Sequence, residues 1–291
     1  MRKPLTIAIA VLILGILMLG YSYFIEPNRL VVNNVTIRIK NLDPAFDGIR
    51  ILAISDIHGG SNGASEANIR RMVATANQQN ADVVVILGDF ISQRANNDEV
   101  PMNIEKIAEQ IAPLRAENGV YAVLGNHDGF YGVERIAKAL TDVGIVVLRN
   151  QIASIERNGK TLRLLGLNDH MQFIEWRLYD EQIRQVMASD GRSGDIVVLQ
   201  HSPDVLFLLN YFDVPGEDFR LMIAGHSHGG QVWLPILGTP LVPSIFGQKY
   251  VSGVVEDEGK QMFVTTGIGT SQLPFRFMVP PEIAVITLKS G

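Results

Sequence analysis

Five short apolar runs constrain this chain more than any other feature, because each stops at residues able to bind a metal. Ile49–Ser55 (IRILAIS) runs into Asp56-Ile57-His58. Asp82–Leu87 (DVVVIL) ends at Gly88-Asp89, and Val120–Leu124 ends at Gly125-Asn126-His127-Asp128. Ile196–Gln200 (IVVLQ) delivers His201, and Leu221–Ala224 delivers Gly225-His226-Ser227-His228. Apolar runs this short, rich in β-branched residues and bounded by turn residues, predict strands buried on both faces. Glu66–Gln79, Asn103–Ala116 and Val133–Val143 between them read as helices. In an open α/β sheet, ligands gather beyond the carboxyl ends of strands, so these far-apart residues are expected to converge.

The flanking sequence completes the architecture. Val31–Lys40 alternates apolar and polar residues at its end, as a strand with one buried face does. Asn158-Gly159 between Ser154–Arg157 and Thr161–Gly166 is a hairpin signal. Ile174–Met187 reads as a helix, and Gln231–Leu234, Tyr250–Val255, Gln261–Thr265 and Ala284–Leu288 read as further strands. The prediction is an α/β fold: a layered sandwich of two mixed β-sheets flanked by helices, with a dinuclear metal site at strand C-terminal ends.

One transmembrane helix is expected ahead of it. Leu5–Ile25 carries no charge and follows Arg2 and Lys3, and such a run is long enough to cross a hydrocarbon layer of ~30 Å. Tyr21, Tyr23 and Phe24 stand at its far end, where aromatic side chains suit the membrane interface. A cleaved signal peptide has a shorter apolar core and an A-x-A site, which this run lacks. The expected division is an anchor over 1–25, a linker and first strand over 26–48, and a catalytic domain over 49–291. The basic residues ahead of the run place the N-terminus inside, and hence the domain outside the cytoplasm, in a single-pass plasma-membrane protein.

The residue types define the chemistry. The chain has no cysteine, which excludes disulfides, thiolate metal sites and cysteine nucleophiles. A net charge of −5, with no basic stripe, gives no support for nucleic-acid binding. Five of the six histidines lie in the strand-end set. Carboxylate, imidazole and an amide oxygen make a mixed site suited to Mn, Fe or Zn. Asp56, His58, Asp89, Asn126, His201, His226 and His228 are more ligands than one ion needs. Two ions about 3.5–4 Å apart would use them, lowering the pKa of a shared water and clamping an in-line phosphoryl displacement. Gly225, Gly229 and Gly230 are read as giving the backbone around His226 and His228 its freedom and the ions their room.

These blocks, in this order, resemble the calcineurin-like metallophosphoesterase superfamily, whose pattern is D-x-H, G-D, G-N-H-(D/E), H and G-H-x-H. The likeness spans roughly Ile49 to Gly230, with no metal-binding type replaced. The stretch GHSHGGQVWLP and the tail GIGTSQLPFRFMVPPEIAVITL resemble a branch of membrane-anchored or exported bacterial phosphoesterases. Relatives of that branch include a UDP-2,3-diacylglucosamine pyrophosphatase. The resemblance implies that Asp56, His58 and His228 hold one metal, that Asn126, His201 and His226 hold the other, and that Asp89 bridges them. It implies that His127 binds no metal but protonates the leaving oxygen, and that Asp128 orients His127. The expected substrate is a phosphorylated small molecule or lipid. The lipid A pyrophosphatase reading conflicts with the predicted topology, and a non-catalytic scaffold of the same fold is the rival from another class.

Three further features carry less. His170 is a loop residue that could touch substrate. Arg276 offers a fork that fits a phosphate, or else a structural ion pair. Leu234–Phe246 (LPILGTPLVPSIF) is an apolar loop that either covers the core or meets lipid.

Overall fold

The computed structural model describes residues 2–92, 100–169 and 176–291. His170 and the first two residues of the helix expected over 174–187 lie outside them. The chain begins with helix α1 (Arg2–Gly20), which runs on through a wider turn at Tyr21–Ile25. The first sheet is ordered β1 (Val31–Ile39), β12 (Glu282–Ser290), β2 (Arg50–Ile54), β3 (Val83–Leu87), β4 (Val120–Val123), β5 (Val146–Val147). All of its pairings are parallel except β12 with β2. The second sheet is ordered β10 (Gly253–Asp257), β11 (Lys260–Val264), β9 (Phe219–Ala224), β8 (Asp195–Leu199), β7 (Lys160–Gly166), β6 (Gln151–Arg157). Its two outer pairs are antiparallel and its three inner pairs parallel.

The period-2 geometry of strands explains why the central runs are apolar throughout. Ile51, Ala53, Val83 and Val85 face Leu162, Leu164, Val197 and Leu199 between the sheets. Leu52, Ile54, Val84 and Ile86 face outward and are covered by α2 (Glu66–Asn77), α3 (Ile104–Ile111) and α5 (Val133–Asp142). Behind the second sheet, α6 (Trp176–Asp190) and α7 (Val205–Tyr211) cover Ile196, Val198, Met222 and Val264. β1 pairs with β12 along its whole length and sends Ile37 and Ile39 into the inter-sheet core.

One local expectation is corrected. Gln231–Leu234 forms no strand; Gln231 takes a left-handed conformation and only isolated bridges follow, Val232 to Phe277 and Leu234 to Gly238. Asn126–Tyr131 is a short helix α4, and the Asp128 carboxylate accepts the Gly125 amide at its first turn.

Candidate metal centre

The ends of β2, β3, β4, β8 and β9 lie side by side and present the seven candidate ligands to one place. Asp56, His58, Asp89, Asn126, His201 and His228 are buried, and His127 and His226 are half-buried. Their ligand atoms form two groups, Asp56–His58–His228 and Asp89–His201–His226. A third, His58–Asp89–His127, lies between them. Asp89 Oδ2 is 3.5 Å from His58 Nε2 and 3.3 Å from His201 Nε2, so one carboxylate oxygen faces both groups. Asp56 Oδ1 is 3.4 Å from His228 Nε2.

Each carboxylate uses one oxygen on the backbone and turns the other toward the imidazoles. Asp56 Oδ2 accepts from the His226 amide at 3.0 Å, and Asp89 Oδ1 accepts from the His127 amide at 2.9 Å. Two of the imidazoles are oriented the same way. His58 Nδ1 lies 2.9 Å from the Ile91 carbonyl and His201 Nδ1 lies 2.7 Å from the Leu87 carbonyl. A carbonyl can only accept, so each Nδ1 carries the proton and each Nε2 presents a lone pair.

The inward-facing atoms are therefore acceptors crowded against acceptors. His201 Nε2 stands 3.1 Å from Asn126 Oδ1 and 3.3 Å from Asp89 Oδ2. Asp56 Oδ1 is buried with no hydrogen-bond partner among the described residues. Such a set repels itself unless cations or protons occupy the middle. The residues thus fit a pair of metal ions by their own chemistry. Without cations, the titration behaviour reflects this conflict. Burial raises the Asp56 carboxyl to about 6 and lowers the His58 imidazole to about 4. For His201 burial works downward, but the Asp89 carboxylate outweighs it and lifts the imidazole well above its usual value.

The backbone supplies a feature that sequence reasoning missed. Asp56, His58, Asp89, His226 and His228 all have positive φ, between 43° and 66°. Such conformations are uncommon outside glycine and concentrate at functional sites. Gly229 and Gly230 take positive φ as expected, but Gly225 is there for closeness: a Cβ would lie 1.9 Å from Ser55 Oγ.

Two expected roles change. Asp128 is fully buried, and its carboxylate accepts from the amides of Gly125, Asp89, Phe90 and Ile91 at 2.8–3.3 Å. It binds the ends of β3 and β4 together, and among the described residues His127 Nδ1 has no hydrogen-bond partner. Arg276 is fully buried. Its guanidinium donates to the carbonyls of Gly269, Thr266 and Val279, and Nη2 lies 3.4 Å from His228 Nδ1. Arg276 therefore packs behind His228, held by carbonyls instead of a carboxylate.

A cleft of about 710 Å³ opens over the ligands, with His127, Asn126 and His228 in its floor. Asn62 and Tyr23 line its wall, and neither was singled out as a site residue. Asn62 donates to the carbonyls of Tyr23 and Pro274 at 2.7 and 2.8 Å. No sequence signal marks this asparagine, because its partners are distant in the chain.

The profile of the calcineurin-like phosphoesterases matches residues 49–230. The chain belongs to that family. It is a metal-dependent phosphoric ester hydrolase by that membership, with a candidate binuclear metal-binding group. It is 28% identical over 273 residues to YkuE of Bacillus subtilis (strain 168), an uncharacterised metallophosphoesterase, covering 93% of this chain and 90% of that one. It is 27% identical over 274 residues to the phosphodiesterase YaeI of Escherichia coli (strain K12), covering 92% of each. Among solved structures, a dimetal phosphatase from Danio rerio superposes with a TM-score of 0.51 at 12% identity, over 76% of this chain and 88% of that one. Against a 5′-nucleotidase precursor from Thermus thermophilus, the chain spans 49% of that protein's length at a TM-score of 0.47 and 15% identity.

Proposed function

We propose that this phosphoesterase is membrane-anchored, binds two metal ions and hydrolyses a phosphodiester or pyrophosphate bond. The observation that carries the reading is the placement of Asp89 Oδ2 between the two ligand groups. Asp56, His58 and His228 would hold one ion, Asn126, His201 and His226 the other, and Asp89 both. When bound, the ions supply an acidified water as nucleophile and neutralise charge in an in-line displacement.

The chain's own residues do the rest. The His58 and His201 carbonyl contacts keep both Nε2 atoms aimed inward, so the rings are oriented before any ion arrives. His127 lies in the cleft floor with its amide fixed by Asp89. From there its imidazole gives a proton to the leaving oxygen. Asp128 keeps the strand ends carrying Asp89 and Asn126 at one separation. The likeness to a phosphodiesterase supports the diester over the monoester.

Leu5–Asn28 is one helical span long and apolar enough to cross a membrane, and we assign it as the anchor. The full pairing of β1 with β12 supports starting the catalytic domain at Val31. Arg2 and Lys3 support an extracytoplasmic domain, which disfavours the cytoplasmic UDP-2,3-diacylglucosamine pyrophosphatase reaction.

The test is His127→Ala in the full-length chain, with bis(p-nitrophenyl) phosphate as substrate and metal content measured in parallel. Turnover is expected to fall by ~10²–10⁴-fold while both metals stay bound. Wild-type turnover in the variant would remove His127 from the reaction. Absence of stoichiometric metal and of turnover in the wild type would favour a scaffold.

A further inference from the structure

The loop after the His226–Gln231 segment displays apolar side chains that the core does not use. Trp233, Ile236, Leu237, Leu241 and Ile245 are exposed, Ile236 completely and Ile245 by 74%. It is an ordered loop. Leu234 and Gly238 exchange two backbone hydrogen bonds of 2.8 and 2.9 Å, forming a tight finger with Ile236 at its tip. Ile236 has φ 74°, a region that β-branched residues avoid. Ser244 Oγ and the Ile245 amide both donate to Asp204, which pins the other arm. From Leu234 to Phe246 there is no charged residue. Phe246 at its end packs against the core behind the second sheet, whereas Ile236, Leu237, Leu241 and Ile245 point away from it. The loop holds an uncharged apolar ridge outward, and such ridges mark surfaces that something covers.

The end of α1 meets the domain beside the cleft over the candidate ligands. The Ser22 carbonyl accepts from the Arg276 amide at 3.1 Å, the Tyr23 carbonyl from Asn62 at 2.7 Å, and the Asn28 carbonyl from Arg71 at 2.6 Å. Ser22, Glu26 and Pro27 are buried against the domain. The exit of the apolar helix is therefore clamped at several points. Tyr23 shares the cleft wall with Leu241 and Pro243, which belong to the apolar loop. Helix exit, cleft mouth and loop lie on one face. Phe24 and Ile25 are exposed at the helix end, and Trp233 at the loop base. Aromatic residues at both rims match the composition of a membrane interface.

We propose that the finger and arm of the Trp233–Ile245 loop rest in the interfacial layer of the lipid bilayer beside α1, so that the cleft opens at the membrane surface. A helix clamped at its exit fixes the height of the domain over the bilayer, and the loop is the part of the cleft rim suited to enter lipid. A phosphoester on an amphiphile then reaches the cleft without leaving the lipid surface. The proposal rests on α1 being the membrane span.

The chain's lack of cysteine makes the test direct. Single-cysteine variants Ile236→Cys, Ile245→Cys, Leu12→Cys and Lys160→Cys of the full-length protein are labelled with bimane. They are reconstituted in phosphatidylcholine–phosphatidylglycerol vesicles with or without acyl-chain bromination. Brominated lipid is expected to quench the labels at 236, 245 and 12 at least twofold and to leave that at 160 unchanged. Quenching at 12 with none at 236 and 245 overturns the proposal. Shielding of 236 and 245 from aqueous iodide without lipid quenching also overturns it and points to self-association. Absence of quenching at 12 overturns the anchor assignment and this proposal together. Hydrolysis of bis(p-nitrophenyl) phosphate by each labelled variant, compared with wild type, reports whether the catalytic reading holds independently.

Discussion

Gly125→Ala isolates the geometry on which the metal centre depends. The backbone there, φ −99° and ψ −175°, suits alanine, so no conformational strain arises. The added Cβ would stand 2.2 Å from Asp89 Oδ1 and 2.8 Å from the Asp89 amide nitrogen. Ordinary contact is roughly 3.5 Å, an overlap of more than about 1 Å on the carboxylate. Backbone relief is limited, because the Gly125 backbone already packs against Gly88 too closely for a Cβ there, which would lie 2.4 Å from the Gly125 nitrogen. The carboxylate must therefore turn. That breaks its 2.9 Å bond from the His127 amide, a charge-assisted bond of about 1.5–3 kcal/mol. Overpacking that remains against the backbone adds about 1 kcal/mol. The expected cost is about 3 kcal/mol, or roughly 6–12 °C in melting temperature for a chain of this size.

The same turn moves Asp89 Oδ2 away from both His58 and His201, so turnover should fall by about 10²-fold. Thermal melting of the metal-free protein and hydrolysis of an aryl phosphodiester measure the two effects. A double-mutant cycle decides the cause. In an Asp89→Ala background the carboxylate is gone, and Gly125→Ala should cost only the residual backbone contact, giving a coupling of about 1.5–3 kcal/mol. An equal cost in both backgrounds would refute the clash with Asp89.

Asp128→Asn keeps one acceptor oxygen but turns an amine toward two of the four amides the carboxylate now holds. Melting temperature should drop, and metal affinity should weaken by about 10–100-fold. A fall in kcat with unchanged melting and metal affinity would instead put Asp128 on His127. Metal binding should release protons increasingly as pH falls. Burial holds the Asp56 carboxyl at about 6 and Asp128 at about 7, both above the ordinary 3.8. Their contribution to metal-free stability is thus complete below about pH 4 and lost as pH rises through 6 and 7. Binding requires Asp56 ionised, so apparent affinity should decline from pH 8 to pH 5. Titration calorimetry in buffers of different ionisation enthalpy measures this, and a constant affinity over that range contradicts it.

The strands were legible because burial on both faces leaves an unbroken apolar run, a one-dimensional signal. The ligand residues were legible because each directly follows such a run. What lay hidden depends on how separate strand ends meet. The oxygens of Asp128 reach amides on two different strands, and nothing in Asn-His-Asp distinguishes that from a bond to the neighbouring imidazole. Arg276 has a fork suited to phosphate, yet its donors are taken by carbonyls of segments that the fold brings around it.

The five positive φ angles are the sharpest case. Each costs of order 1–3 kcal/mol, and no local pattern at Asp56, Asp89 or His226 announces them. They persist because each loop is tied to the next. The Asp56 amide donates to the Gly88 carbonyl, the His58 amide to that of Asp89, and the Gly225 amide to that of His201, all at 2.9–3.0 Å. The glycines of the G-D, G-N-H and G-H blocks let those loops approach closely enough to make these bonds. The motif therefore encodes more than a set of ligands. Its glycines supply the contact distances that hold the ligand-bearing residues in conformations they would not adopt alone.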